Sequence, residues 1–189
     1  MSDAPDEDAT ADESAAPPEP ELLHGVPVGW SLGQQELFVP RDELVRVVRA
    51  LHDDGYLMCV DLCAVDYLTY GRRTAAEGDV VLTTRVLPGD TQPERFEVVY
   101  LFLSHRDRSR VRVRVQVPED DPVVPSLFDV HPGTEAMERE AFDMYGIAFD
   151  GHPDPSRILM PEDWIGHPLR KDYSSGRIPV QFKAAPANR

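Results

Sequence analysis

The sequence predicts an α+β fold: a mixed or antiparallel sheet built around one hairpin and packed by a few helices, with a disordered N-terminal arm and an extended C-terminal tail. Three observations carry this. RFEVVYLFLSH (Arg95 to His105) and RVRVRVQV (Arg110 to Val117) are two strand-like runs joined by a short polar turn. Leu44, Val47, Val48 and Leu51 recur at helical spacing. Both ends of the chain combine proline and charge without periodicity. At 189 residues and 41% hydrophobic content, the chain supports one core. The expected organisation is an acidic disordered arm over 1–32, an α+β domain over 33–150 and an extended interface tail over 151–189.

The arm follows from composition. Met1 to Glu21 carries eight acidic residues and no Lys or Arg, with almost nothing apolar to offset the entropy of ordering. Subtracting those eight charges from the formal −15 leaves −7 for the remainder. A mildly acidic body without a basic stripe excludes nucleic acid as partner. Two cysteines, no apolar stretch near 18 residues and no leader pattern lead to the expectation of a soluble protein of a reducing compartment. Such a chain reaches a membrane only through a partner.

The helix predicted from Pro40 has Asp42 placed to cap its start and Gly55 beyond its last turn. Tyr56 to Leu68 (YLMCVDLCAVDYL) is apolar and rich in β-formers, so it reads as a strand buried on at least one face. Cys59 and Cys63 lie at even spacing and would share a face as small buried hydrophobes; no Cys-x-x-Cys or further ligand set accompanies them. Thr69 to Glu94 contains one strand-like run, DVVLTTRVL, inside a polar excursion. In the second hairpin strand Val111, Val113, Val115 and Val117 alternate with Arg110, Arg112, Arg114 and Gln116. One face therefore meets core, and the other is a solvated positive face or a basic face for acidic protein or phosphate. Pro118 ends the sheet, and a proline-spaced connector follows.

The connector leads to a charged helix that Thr134 can cap and Gly146 can end in the left-handed conformation. On it Glu135, Arg139 and Asp143 fall at i, i+4 and i+8, an expected ion-pair ladder, while Met137, Ala141, Met144 and Tyr145 form the apolar side. Glu138 and Phe142 make a second row and Glu140 projects elsewhere. Three chemistries compete for these residues. Glu138, Glu140 and Asp143 with His152 or His167 would be metal ligands, but no two stand in Glu-x-x-His or His-x-x-x-His relation. Paired carboxylates as acid and base would need a pocket. The third reading is structural: carboxylates pairing with Arg157, Arg170, Lys171 and backbone fix an irregular chain at an interface.

Glu138-Arg139-Glu140, then Phe142 to Ile147, Gly151-His152-Pro153-Asp154, Arg157-Ile158-Leu159 and Gly166-His167-Pro168-Leu169-Arg170-Lys171-Asp172-Tyr173 together resemble the 30-kilodalton subunit of bacterial proton-pumping NADH:quinone oxidoreductase. Val60-Asp61-Leu62, Ala64 to Tyr67, Arg95 to Tyr100 and Asp120 to Ser126 resemble it in the same order. The resemblance spans about Gly33 to Tyr173. It implies an α/β domain with an extended tail, in the hydrophilic arm of respiratory complex I on the cytoplasmic side of the cell membrane. It further implies a non-catalytic role and no bound flavin or cluster. FMN and iron-sulfur clusters would lie in partner subunits, and this chain would support those forming the quinone site and carrying the terminal cluster. Two cysteines are too few for the four thiolates of a usual cluster, and no Gly-x-Gly-x-x-Gly marks a dinucleotide site.

The expected interface residues are Glu138, Arg139, Glu140, Asp143, Gly146, His152, Pro153, Arg157, His167, Pro168, Arg170, Lys171 and Asp172. Arg139, Asp143, Arg157, Arg170 and Asp172 are expected in ion pairs desolvated on assembly. No catalytic, cofactor or metal residues are expected. The chain departs from the family pattern at Pro155 and Ser156, where many relatives have Leu and then Arg or Thr, and at Ala136, where many have Trp. The alternatives are the equivalent subunit of a membrane-bound hydrogenase or other-donor dehydrogenase and, more distantly, a carboxylate-dependent hydrolase.

Overall fold

Strict apolar–polar alternation makes Ser109–Val117 the spine of the sheet, because a strand with one apolar face stays in register only when that face is covered. The computed structural model describes residues 21–69, 87 and 94–174. Its strands are β1 (Leu22–Leu23), β2 (Val26–Ser31), β3 (Gln34–Phe38), β4 (Met58–Asp66), β5 (Phe96–Ser104), β6 (Ser109–Val117), β7 (Val123–Pro125) and β8 (Ala148–Asp150). The helices are α1 (Leu44–Asp53) and α2 (Glu135–Tyr145).

The main sheet runs β1-β2-β3-β6-β5-β4. The expected hairpin is β5–β6, paired from Phe96↔Val117 to Ser104↔Ser109. β4 lies antiparallel on its outer side and β3 runs parallel to β6, so the sheet is mixed. The four alternating valines of β6 are buried, as are Phe96, Tyr100 and Phe102 opposite them. Leu44, Val47, Val48 and Leu51 of α1 complete that core. β7 and β8 form a separate parallel pair that brackets α2 in sequence.

Several expectations need correcting. The arm over 1–32 is too long: β1 and β2 occupy its last part, and Val26 and Val28 are core residues. Their alternation with Pro27 and Gly29 is a short strand signal outweighed by the neighbouring acidic composition. Residues 1–20, 70–86, 88–93 and 175–189 lie outside the described residues, and with them the rest of the arm, the DVVLTTRVL run but for Leu87, and the end of the tail. Asp42 caps nothing; α1 is entered through a 3-10 turn, Arg41–Glu43, which Arg41 anchors by donating to the Asp121 and Val123 carbonyls at 2.8 and 2.9 Å. The two cysteines do not share a face. A bulge between Cys59 and Asp61 breaks the period, so Cys59 stands opposite Phe102 and packs on the core while Cys63 is exposed.

Most of the outer face of β6 is neither a solvated nor a free basic surface; Arg110, at its start, is the exposed exception. Arg112 pairs with Glu36 of β3, and Arg114 bridges Glu36 at 3.1 Å and Glu97 of β5 at 2.8 Å. Both glutamates are buried, so the arginines neutralise carboxylates across three strands.

Candidate functional site

α2 ends where the chain must reverse. Gly146 adopts φ +72° and ψ +27°, the left-handed conformation that terminates helices, and its N–H donates to Phe142 O at 2.8 Å. The carbonyls of the last turn remain unpaired within the helix and need outside donors. The tail provides them. His167 Nδ1 donates to Asp143 O at 3.0 Å, the Leu169 N–H to Met144 O at 3.0 Å, and Arg170 Nε to Tyr145 O at 2.5 Å. Residues 151–174 contain no helix or strand, so this segment is ordered by what it caps.

Asp143 is the centre of the arrangement. It is wholly buried, and its Oδ2 accepts the successive N–H groups of Ile158, Leu159 and Met160 at 3.1, 2.7 and 2.8 Å. Its Oδ1 accepts Arg157 Nη1 at 2.5 Å, and Arg157 Nη2 continues to Gly166 O at 3.1 Å. Burial alone would raise the Asp143 carboxyl, but the Met160 and Leu159 N–H groups, Arg157 and the Ile158 N–H outweigh it and hold it below the usual range. His167 is pushed down, first by burial and then by Arg170 and Arg157, against the hydrogen bond to Asp143 O; it acts here as a neutral donor.

A second carboxylate fixes the far end of the segment. Asp66, at the end of β4, is buried and accepts Leu68 N–H, Lys171 N–H and two guanidinium nitrogens of Arg95 between 2.9 and 3.2 Å. Arg95 also meets Asp172 at 2.9 Å and Glu119. Burial opposes the Asp66 charge; Arg95 and the Lys171 and Leu68 N–H groups more than offset it, so its pKa falls. The Arg95 and Arg170 guanidinium groups lie 4.7 and 5.1 Å from the Phe96 ring centre.

The near end is held by Arg139 and His152. Arg139 donates to Ser156 O, Ser156 Oγ and Arg157 O between 2.9 and 3.1 Å. His152 Nε2 donates to Glu135 O at 3.0 Å while Nδ1 accepts Asp154 N–H. Glu138 differs from all of these: wholly buried, it accepts Ser126 Oγ, Leu127 N–H and Thr134 Oγ1 at 2.6, 2.8 and 3.0 Å. Its hydrogen bonds tie the connector to α2, while His152 Nε2 of the tail lies 3.9 Å from its Oε2.

The structure therefore brings Arg139, Asp143, Gly146, His152, Arg157, His167, Arg170, Lys171 and Asp172 together around one helix. Glu140, Pro153 and Lys171 are exposed, Pro168 is half-buried, and Glu140 lines a small cavity beside Cys63 and Tyr145. Three expectations change. Of the Glu135–Arg139–Asp143 ladder only the first rung forms, at 3.9 Å; Arg139 otherwise turns to the tail, and Asp143 takes Arg157. Thr134 bonds Glu138 instead of the helix N-terminus. The Asp143–Arg157 pair is already desolvated in the isolated chain, because the tail folds back over it. The carboxylate reading also missed Asp66, Arg95 and Ser126. An aspartate ending an apolar strand was the available signal for Asp66.

Beyond the clamps the tail turns apolar residues outward: Ile158, Leu159 and Leu169 are 40, 55 and 47% exposed and Ile165 89%. No group of three or more His, Cys, Asp or Glu among the described residues could hold a metal ion. No described helix is long and apolar enough to cross a membrane.

Sequence and structure comparisons converge on one family. Residues 37–178 match the family model for the 30 Kd subunit of respiratory-chain NADH dehydrogenase. The C subunit of NADH-quinone oxidoreductase from Saccharopolyspora erythraea is 42% identical over 156 residues, covering 81% of this chain and 54% of that protein. The Roseiflexus sp. protein of the same name is 44% identical over 153 residues, covering 79% and 75%. The chain thus spans about half the length of the first of these relatives. A trypsin-resistant fragment of Nqo5 superposes with a TM-score of 0.55 at 34% identity, over 69% of this chain and 89% of the fragment. A chain of an archaeal membrane-bound sulfane sulfur reductase shares the fold at TM-score 0.56 and 19% identity, over 87% and 90%. The residues of the clamp lie inside the matched region, and the chain belongs to the family of the respiratory-chain NADH dehydrogenase 30-kilodalton subunit.

Proposed function

We propose that this chain is a non-catalytic subunit in the peripheral arm of a proton-pumping NADH:quinone oxidoreductase, on the cytoplasmic side of the cell membrane. It holds neighbouring subunits in place while electrons pass from NADH through FMN and iron-sulfur clusters, all carried by those neighbours, to quinone. The observation that carries this reading is the tail. An irregular segment clamped by Asp143 and Asp66, with its apolar side chains turned outward, is built to present a fixed surface to another protein. The partners are the subunits forming the quinone site and carrying the terminal cluster. Attachment to the membrane is through them.

The test is to capture the tagged chain from gently solubilised membranes of its host, identify what accompanies it, and record the visible spectrum and NADH:quinone activity of the sample. Flavin and cluster subunits with NADH activity are the expected result. A nickel-containing partner would move the chain to a hydrogenase-like complex, and a colourless chain emerging alone would overturn the proposal.

A further inference from the structure

A cleft of about 630 Å³ opens at the end of the sheet where the β2–β3 and β5–β6 turns meet, the opposite end of β5 from the Asp66 clamp. Trp30, Gln35 and Tyr56 form part of its wall, and His105, Arg108 and Arg110 its basic side. Among the described residues these three basic side chains make no ion pair or side-chain hydrogen bond, whereas Arg95, Arg112, Arg114, Arg139 and Arg157 all do. The neighbouring Asp107 is taken by Arg106 and Ser104. In a chain with a net charge of −15, two unpaired arginines beside His105 around one aromatic-walled cleft call for an anionic occupant.

The described chain begins beside this cleft. Trp30 Nε1 donates to Glu21 Oε2 at 3.5 Å, so the first described residue already touches the cleft wall. The 20 residues before Glu21 carry seven carboxylates, Asp3, Asp6, Glu7, Asp8, Asp12, Glu13 and Glu19, and no Lys or Arg. At roughly 3.3 Å per extended residue even the nearest few of them span such a cleft. We infer that the cleft is a binding site for acidic peptide, filled in cis by the carboxylates of residues 1–20 of the same chain. The contact is electrostatic and confined to Arg108, Arg110 and His105, with Trp30 as the apolar wall. The site lies away from the tail clamp and is independent of the function proposed above.

The full chain carrying Ser14→Cys and Cys63→Ser tests this, with a nitroxide label on the new thiol. Burial pushes the Cys59 thiol up to about 12, which keeps it out of the labelling reaction. The expected result is loss of most amide intensity at Gln34, Gln35, Ser109 and Arg110 in 15N spectra at low salt. Intensity should return in about 0.5 M salt and in the Arg108→Glu/Arg110→Glu variant, whose exposed positions leave the fold intact. Label broadening spread evenly over the surface, or centred on the tail, would overturn the assignment. So would shift changes in the cleft on adding inorganic phosphate without any effect of the label, which would give the site to a free anion.

Discussion

The sheet domain and the tail are both ordered, by opposite means. In the domain a continuous apolar core from Val26 to Phe149 shares the load over many side chains. In residues 151–174 there is no helix or strand, and most of the large apolar groups point outward. Order there rests on two buried carboxylates and the open end of one helix. Apolar burial is redundant and degrades gradually; a carboxylate that collects three N–H groups and a guanidinium is a single point of failure. That difference suits the interface role proposed above, in which the outward face is left for a partner while the backbone is already fixed.

Phe102→Ala removes a wholly buried ring stacked near Tyr100 and His131, and the expected cost is about 4 kcal/mol of global stability. The urea midpoint should fall and the tail amides should lose protection with the rest, since the tail has no support without α2 and β4.

Asp143→Ala sharpens the contrast. The expected loss is about 3 kcal/mol, but localised, because the side-chain partners of Asp143 belong to the tail. Hydrogen exchange at Leu159 and Met160 should rise steeply while the urea midpoint of the sheet moves little. A global collapse equal to that of Phe102→Ala would mean the two regions fold as one unit. The same clamp sets a pH dependence. The folded pKa of Asp143 is depressed, as is that of Asp66, so their contribution is complete above the unfolded aspartate value of about 3.9 and is lost as pH falls through the lower folded values. Tail amides should therefore lose protection below about pH 4.

Gly146→Ala tests the helix end with a smaller effect, about 1 to 2 kcal/mol. The residue sits at φ +72°, and an added Cβ would lie 2.5 Å from His167 Nε2 and 2.8 Å from Arg170 Nη2. Protection near Leu169 should fall more than at Leu159 and Met160, because the Asp143 nest is not touched.

What could be read from the sequence follows the same division. The hairpin, α1 and the span of α2 are written in periodicity, and the core faces of β6 and α1 come out as the spacing implies, whereas the buried residues of α2 include Glu138 and Asp143 beside Ala141 and Met144. Gly146 as a helix end is legible because only one residue type adopts that φ cheaply. Pairing partners are not. Arg139 and Asp143 stand one turn apart, yet each is drawn to the tail because the tail offers backbone donors and acceptors that no spacing rule counts. Asp42 and Thr134 have good capping chemistry, but each sits in a 3-10 turn that places its side chain away from the helix N–H groups. The bulge that separates Cys59 from Cys63 is invisible to a period-two reading, and the β7–β8 pair joins two strands of three residues each that lack any pattern.

The smallest effect is expected at Asp172, and it is the most informative about function. Arg95 has three acidic partners: Asp66, which is buried, and Glu119 and Asp172, which are half-exposed or more. Asp172→Ala leaves Arg95 with both remaining carboxylates, and an exposed pair contributes only about 0.5 kcal/mol, so tail protection in the isolated chain should barely change. Asp66→Ala, by contrast, removes the buried partner of Arg95 and leaves the Leu68 and Lys171 N–H groups without their acceptor, and should release the end of the tail. Hydrogen exchange at Lys171 in the two variants separates these cases; equal loss in both would show that Asp172 anchors the segment as strongly as Asp66. Because Asp172→Ala leaves the isolated tail in place, a failure of that variant to co-purify with its partner subunits would locate the defect in the contact itself and not in the folding of the surface that makes it.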